Sequence, residues 1–139
     1  MALDTVCLVD KSALARAHHP PVRAILQRLT YRGLLATCSI IDLEVGYSAK
    51  GAAEHQTLID QRRGLLCYPI GQHTLNRALD IQSLLAKRGQ HRVPLPDLII
   101  AACAEEHGAV VIHYDKDFDT IAHVTGQEAR WIAPKGSLA

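Results

Sequence analysis

Short runs of mostly apolar residues recur along this chain at Val6–Val9, Leu34–Cys38, Leu65–Tyr68, Ala109–Ile112 and Ala129–Ile132, with helix-like segments between them. None is long enough for a globular helix. The runs at 6–9 and 109–112 contain no polar position, so they lack the alternation of a strand with one wet face and read as strands covered on both sides. Such strands need helices above and below them, and alternation of strand and helix is the pattern of parallel pairing. The expected fold class is therefore α/β, a parallel sheet with helices on both faces. Ligands of such sheets sit outside the carboxyl ends of the strands, so the residues that follow each run are where chemistry is expected.

The intervening segments have helical periodicity. Ala13 to Arg16 turns helical before His18-His19-Pro20-Pro21 interrupts it, and Val22, Ile25, Leu26 and Leu29 then share one face of a helix that runs to Gly33. Ser39-Ile40-Ile41-Asp42 has the S-x-x-D form of an N-terminal cap and starts a helix carrying Glu44 beside Ile40, Tyr47 and Ser48. A polar helix is expected from Ala52 to Arg63. Another is expected from His73 to Arg88, with Leu75, Ala78, Leu79, Ile81, Leu84 and Leu85 as its inward stripe and Gly89 as its stop. The segment from Asp97 to His107 is almost wholly small or apolar beyond its first residue, so it must lie against a core. A brief helix at Ile121–Val124 follows the fourth strand, and residues 134–139 are expected to fray.

At 139 residues and 48% hydrophobic, the chain is expected to form a single domain, residues 1–139, with a sizeable core of its own. The net charge of +1 excludes a global field that would drive it onto nucleic acid or membrane. Aromatics make up 4%, too few for a base-stacking platform, and Tyr47, Phe118 and Trp131 read as core or rim packing. Cys7, Cys38, Cys67 and Cys103 lie inside apolar runs, as free buried thiols do. The histidines form no H-x-x-x-H frame, which argues against zinc, and most of them are expected at the surface or in loops. There is no basic stretch followed by an apolar leader and no apolar segment of membrane-spanning length, so a cytoplasmic protein is expected.

Four acids stand where ligands would be expected. Asp10 and Asp115 directly follow the first and fourth strands. Asp97 opens its helix after Pro94 and Pro96, where unpaired backbone N–H groups favour negative charge and would keep it ionised. Glu44 has apolar neighbours and needs a partner or a cation. Taken singly, each has an ordinary reading as a cap, a turn residue or a solvated charge. Should they converge, repulsion would raise some of their pKa values, and an oxygen-only set would suit Mg²⁺ or Mn²⁺. Such an ion activates water and offsets charge in a displacement at phosphorus, which points to phosphodiester hydrolysis. Lys87, Arg88, His91 and Arg92, just before Asp97, are the candidates to touch nucleic-acid phosphates, with Lys50, Arg62 and Arg63 weaker ones. Two other readings stay open: a small phosphatase, although Asp10-Lys11-Ser12 lacks a D-x-D pair, and a noncatalytic protein whose acidic pocket grips a basic partner.

Leu8-Val9-Asp10-Lys11-Ser12-Ala13, Ile40-Ile41-Asp42-Leu43-Glu44-Val45-Gly46-Tyr47-Ser48, Pro96-Asp97-Leu98-Ile99-Ile100-Ala101-Ala102-Cys103-Ala104 and His113-Tyr114-Asp115-Lys116-Asp117-Phe118 together resemble the successive motifs of PIN-domain ribonucleases, the VapC-type toxins above all. The resemblance runs from residue 5 to about 132 in the right order. It implies a three-layer sandwich around a five-stranded parallel sheet, a homodimer, and Mg²⁺- or Mn²⁺-dependent endonucleolytic cleavage of RNA. It also implies that Asp10, Glu44, Asp97 and Asp115 are the catalytic metal-site acids, with Asp117 a supplementary ligand or a water-positioning acid. The partner implied is a VapB-type antitoxin that occupies the groove and sets a basic side chain among the acids. Lys11 stands where many relatives carry a small hydroxyl residue, so its ammonium would either compete with metal or hold a phosphate. Ser12 matches the family pattern and would orient Asp10 or a metal-bound water.

Overall fold

The computed structural model describes residues 4–138. In chain order the elements are β1 (Cys7–Val9), α1 (Lys11–Leu14), α2 (Pro20–Tyr31), β2 (Leu35–Cys38), α3 (Ser39–Tyr47), α4 (Ala52–Arg62), β3 (Leu66–Tyr68), α5 (Gln72–Ala86), α6 (Leu95–His107), β4 (Val110–His113), α7 (Lys116–Thr125) and β5 (Ala129–Trp131). The five strands form one parallel sheet in the order β3-β2-β1-β4-β5. The chain thus winds outward from β1 to one edge and then crosses over to start again at β4. The reversal opens a crevice at the carboxyl ends of β1 and β4, the position at which open α/β sheets bind ligands.

Two cores explain why the central strands are apolar throughout. Leu8 and Val111 pack on one face with Ile41, Ile81, Leu85, Leu98 and Phe118. Their neighbours Cys7, Val9, Val110 and Ile112 pack on the other face with Val22, Leu29 and Ile132. The period of two that sorts side chains to opposite faces gives every residue of these strands an apolar environment. α6 lies in the first core, with Leu98 and every residue from Ile100 to Ala104 buried.

Several local expectations are corrected. Ser39 does not cap α3; Cys38 holds the cap position and supplies no side-chain bond. Asp42 instead accepts from Thr37 Oγ1 at 2.8 Å and from Arg62 Nε at 2.9 Å, while Arg62 Nη2 donates to Thr37 Oγ1 at 2.9 Å. This network ties α4 to α3 and β2 and engages the Arg62 guanidinium within the fold. β3 is an edge strand, so Cys67 is exposed whereas Cys7, Cys38 and Cys103 are buried. Leu75 and Leu79 face outward, and the inner face of α5 is Thr74, Ala78, Ile81 and Leu85. Thr74 belongs there because its hydroxyl donates to Glu106 at 2.9 Å.

α7 is longer than the brief helix expected. The Asp115 carboxylate caps it, Phe118 and Ile121 bury its inner face, and Gly126 ends it at a φ of 72° that a side chain would disfavour. The tail, expected to fray, is tied back at Leu138, whose backbone N–H donates to the Tyr114 hydroxyl at 2.8 Å; Ala139 lies outside the described residues. His113, at the close of β4, is fully buried and so departs from the surface or loop setting expected of most of the histidines.

Replacing Asp42 by Ala strands the Arg62 guanidinium, whose side chain is only 10% exposed, without its carboxylate. Asp42→Ala is expected to lower stability by about 2 kcal/mol, because a charged hydrogen bond is lost and its partner stays buried. Urea denaturation of the variant beside the wild type measures it.

Candidate metal centre

Each acid reaches the rim of the sheet by a different local device. Asp10 follows β1, and its backbone N–H is held by Ile112 O of β4 at 2.8 Å. Its Oδ2 caps α1 by accepting from the Ser12 N–H at 2.9 Å, which leaves Oδ1 buried without a hydrogen-bond partner. Asp115 follows β4, and its Oδ1 caps α7 by accepting from the Asp117 N–H at 2.9 Å. One carboxylate oxygen of each is thus committed to a helix start, so neither side chain can swing away without loosening a cap.

Ser12 and His113 hold the same corner from behind. The Ser12 hydroxyl accepts from the Tyr114 N–H at 2.9 Å and so joins α1 to the end of β4. Ser12 therefore acts on Asp10 through its backbone N–H and on the β4 exit through its hydroxyl. His113 Nδ1 accepts from the Asp115 N–H at 3.1 Å. Burial pushes the His113 pKa down, which favours the neutral ring that this acceptor role requires. Sequence reasoning passed over His113 because a lone histidine at the end of a buried strand carries no metal-ligand spacing; its place between the strand and Asp115 was the available signal.

Asp97 lies in the first turn of α6, 6% exposed, with Oδ2 buried and unpartnered. One oxygen from each of Asp97, Asp115 and Asp117 lies within 4.8 Å of the other two. Burial, followed by the charges of Asp10, Asp115, Asp117 and Glu44, raises the Asp97 pKa from 3.8 to about 8. This corrects the expectation that the helix N-terminus keeps Asp97 ionised: the backbone dipoles are outweighed by desolvation and by four nearby carboxylates. Glu44 joins from α3. Its Oε1 is buried without a partner, its Oε2 is 3.8 Å from Lys11 Nζ, and its pKa is raised by burial and then by Asp10, with Lys11 opposing. Burial and then the charge of Asp115 raise Asp117 as well.

Other candidates lie apart. Asp42 belongs to the Thr37–Arg62 network. Asp119 accepts the Trp131 indole N–H, at 3.1 and 3.0 Å to its two oxygens. Phe118 is core, but Tyr47 is not the packing residue expected: it stands 89% exposed on the outer side of α3. In the basic loop, Arg88 lines an open cavity of about 310 Å³ with Gln90, Asp119, Thr120 and His123, which sets it beside the middle and last turns of α7.

The arrangement fits a divalent cation. Asp10, Glu44 and Asp97 each present a buried oxygen with no donor to satisfy it, and the neighbouring Asp115 and Asp117 are carboxylates too. Uncompensated buried carboxylate oxygens are costly, and an all-oxygen set matches a hard ion. No histidine or cysteine enters the cluster among the described residues.

Comparison with known proteins follows the same line. The PIN domain family model matches residues 1–124. Ribonuclease VapC21 of Mycobacterium tuberculosis strain H37Rv is 49% identical over 137 residues, covering 97% of this chain and 99% of that protein. Ribonuclease VapC51 of the same strain is 46% identical over 134 residues, covering 94% and 96%. Among solved structures, VapBC2 from Rickettsia felis bound to a promoter DNA fragment matches with a TM-score of 0.74 at 16% identity, covering 91% of this chain and 98% of that one. DNA-bound VapBC from Salmonella typhimurium matches at 0.73 and 17%, covering 93% and 99%.

The raised Asp97 pKa has a consequence for stability. A carboxyl that binds its proton more tightly when folded contributes stability that is full below pH 3.8 and lost as pH rises through about 8. Without metal, the stability advantage of Asp97→Asn over the wild type is therefore expected to grow across that window, to on the order of a few kcal/mol. Chemical denaturation in EDTA at a series of pH values tests this; a difference independent of pH would refute it.

Proposed function

Since the chain belongs to the PIN-domain family, among its VapC-type ribonucleases, we propose that it is an endoribonuclease toxin in which Asp10, Glu44, Asp97, Asp115 and Asp117 hold Mg²⁺ or Mn²⁺. The observation that carries this reading is the set of three buried, unpartnered carboxylate oxygens on Asp10, Glu44 and Asp97, beside the close trio of Asp97, Asp115 and Asp117. When bound, a divalent ion lowers the pKa of water and offsets the charge that develops on phosphate oxygens during an in-line displacement.

The rest belongs to the protein. Asp10 and Asp115 are the fixed points, each tied by one oxygen to a helix start, so their remaining oxygens are preorganised. The raised pKa of Asp97 means that holding a cation there would compete with a proton, so metal binding would be coupled to proton loss. Asp117, in the first turn of α7, is the supplementary acid, close enough to Asp115 and Asp97 to share a ligand or orient a water.

The partners in this reading are RNA, a second copy of the chain in a homodimer, and a VapB-type antitoxin. Support for the antitoxin comes from the face of α3, where Leu43 is 67% exposed and Tyr47 stands beside it. A cavity of about 370 Å³ lined by Lys11, Ile40, Leu43, Glu44, Tyr47 and Pro96 connects that face to the acids. An apolar segment of an antitoxin would cover Leu43 and Tyr47 and deliver a basic side chain to Glu44. No helix among the described residues is long and apolar enough to cross a membrane, and a cytoplasmic site of action belongs to the same proposal.

Purified chain, free of antitoxin, is expected to cleave cellular RNA internally in Mn²⁺ or Mg²⁺, and EDTA is expected to stop it. Asp10→Asn should lower the rate by at least about 100-fold, since removing even a residue that supports a metal ligand costs up to that much. Deep sequencing of RNA ends after expression of each protein reads the result. Cleavage that survives EDTA, or hydrolysis of small phosphate esters in place of RNA, would overturn the proposal.

A further inference from the structure

Among the described residues, the ion pair between Lys11 and Glu44 is the one that joins a basic side chain to any of the five acids. It is a weak pair by construction. The separation of 3.8 Å is too long for a hydrogen bond, and the two side chains are 44% and 23% exposed, so solvent screens the attraction. Glu44 Oε1 stays unpartnered beside it, so the ammonium does not satisfy the carboxylate it faces. A clamp that contributes so little to the fold leaves the three ammonium donors available to a ligand.

The surroundings narrow what that ligand is. Lys11 directly follows Asp10 and opens α1, a turn fixed by the Asp10 cap and by the Ser12–Tyr114 bond, so its stem starts at the rim of the acid cluster. With Glu44 it lines the cavity whose other walls are Ile40, Leu43, Tyr47 and Pro96. Their side chains offer Lys11 no carboxylate in place of Glu44. A divalent cation drawn to Glu44 would repel the ammonium, which must then find another anion within reach of its stem. Of what enters with the substrate, the phosphodiester backbone is that anion, and the apolar walls suit the sugar and base attached to it.

We propose that Lys11 is a substrate-contacting residue, whose ammonium rests against Glu44 in the free protein and passes to a phosphate oxygen of the RNA when the substrate enters. This rests on the nuclease reading above and adds to it a residue outside the acid set.

The test uses Asp97→Asn as the cleavage-silenced parent, a fluorescein-labelled single-stranded RNA of random sequence, and anisotropy titrations in Mn²⁺ at several salt concentrations. Adding Lys11→Ala or the closer-shaped Lys11→Gln is expected to weaken binding about 10-fold and to reduce the slope of log affinity against log salt by about 0.7, the loss of one phosphate contact on a single strand. Lys11→Arg should keep both. Calorimetry of Mn²⁺ binding, in chains otherwise wild type, should find Lys11→Gln at least as tight as the wild type, because a competing cation is gone. Unchanged RNA affinity and slope, or weakened Mn²⁺ binding, would overturn the assignment. Metal-dependent cleavage by the wild type alongside such a result would leave the nuclease reading standing, whereas no cleavage and no RNA binding by the parent would sink both.

Discussion

Repulsion among carboxylates crowded at one corner of the sheet is the constraint that organises this protein. Asp97 feels it most: burial first, and then the charges of four other acids, raise its pKa from 3.8 to about 8. A chain left to itself would spread such charges into water. Here they are kept together because the strands and helix starts that carry them are fixed by other interactions, chiefly burial of apolar side chains on both faces of β1 and β4.

The corner is held by reusing functional groups as structural ones. Asp10 and Asp115 each cap a helix with one oxygen, and a hydroxyl from the turn after β1 bonds the backbone just beyond β4. Behind them, His113 fills space between Phe118 and Trp131, with ring centroids 5.1 and 5.0 Å away, and accepts the Asp115 N–H. The positions of the acids are thus over-determined, the condition for a site that must withstand its own electrostatics. Further from the corner, Arg62–Asp42 and the bidentate Arg77–Glu105 pair pin α4 and α5 by ordinary charged hydrogen bonds.

Elements whose residues face one kind of environment were legible in the chain. β1, the apolar part of β4 and the stretch of α6 from Ile100 to Ala104 are buried, so an apolar run marked each of them. Mixed elements were harder. The stripe of α5 was read from all its leucines, yet Leu75 and Leu79 face outward while Thr74 turns inward to Glu106, a partner 32 residues away that no local pattern reveals. The apparent cap at Ser39 failed for the same reason, since Asp42 found Thr37 and Arg62 instead.

The amino-acid sequence by itself determined the strand and helix alternation, the parallel sheet, and the identity of the acids that follow β1 and β4, because these depend on local periodicity and on short-range turn chemistry. Tertiary structure alone decided that Glu44 and Asp97 share a corner with Asp10 and Asp115, that the Asp97 pKa is raised, and that Lys11 sits against Glu44. Those outcomes are sums of electrostatic and desolvation effects over residues up to about a hundred positions apart, and they acquire a sign and a size only when the crossover from β1 to β4 brings the groups together.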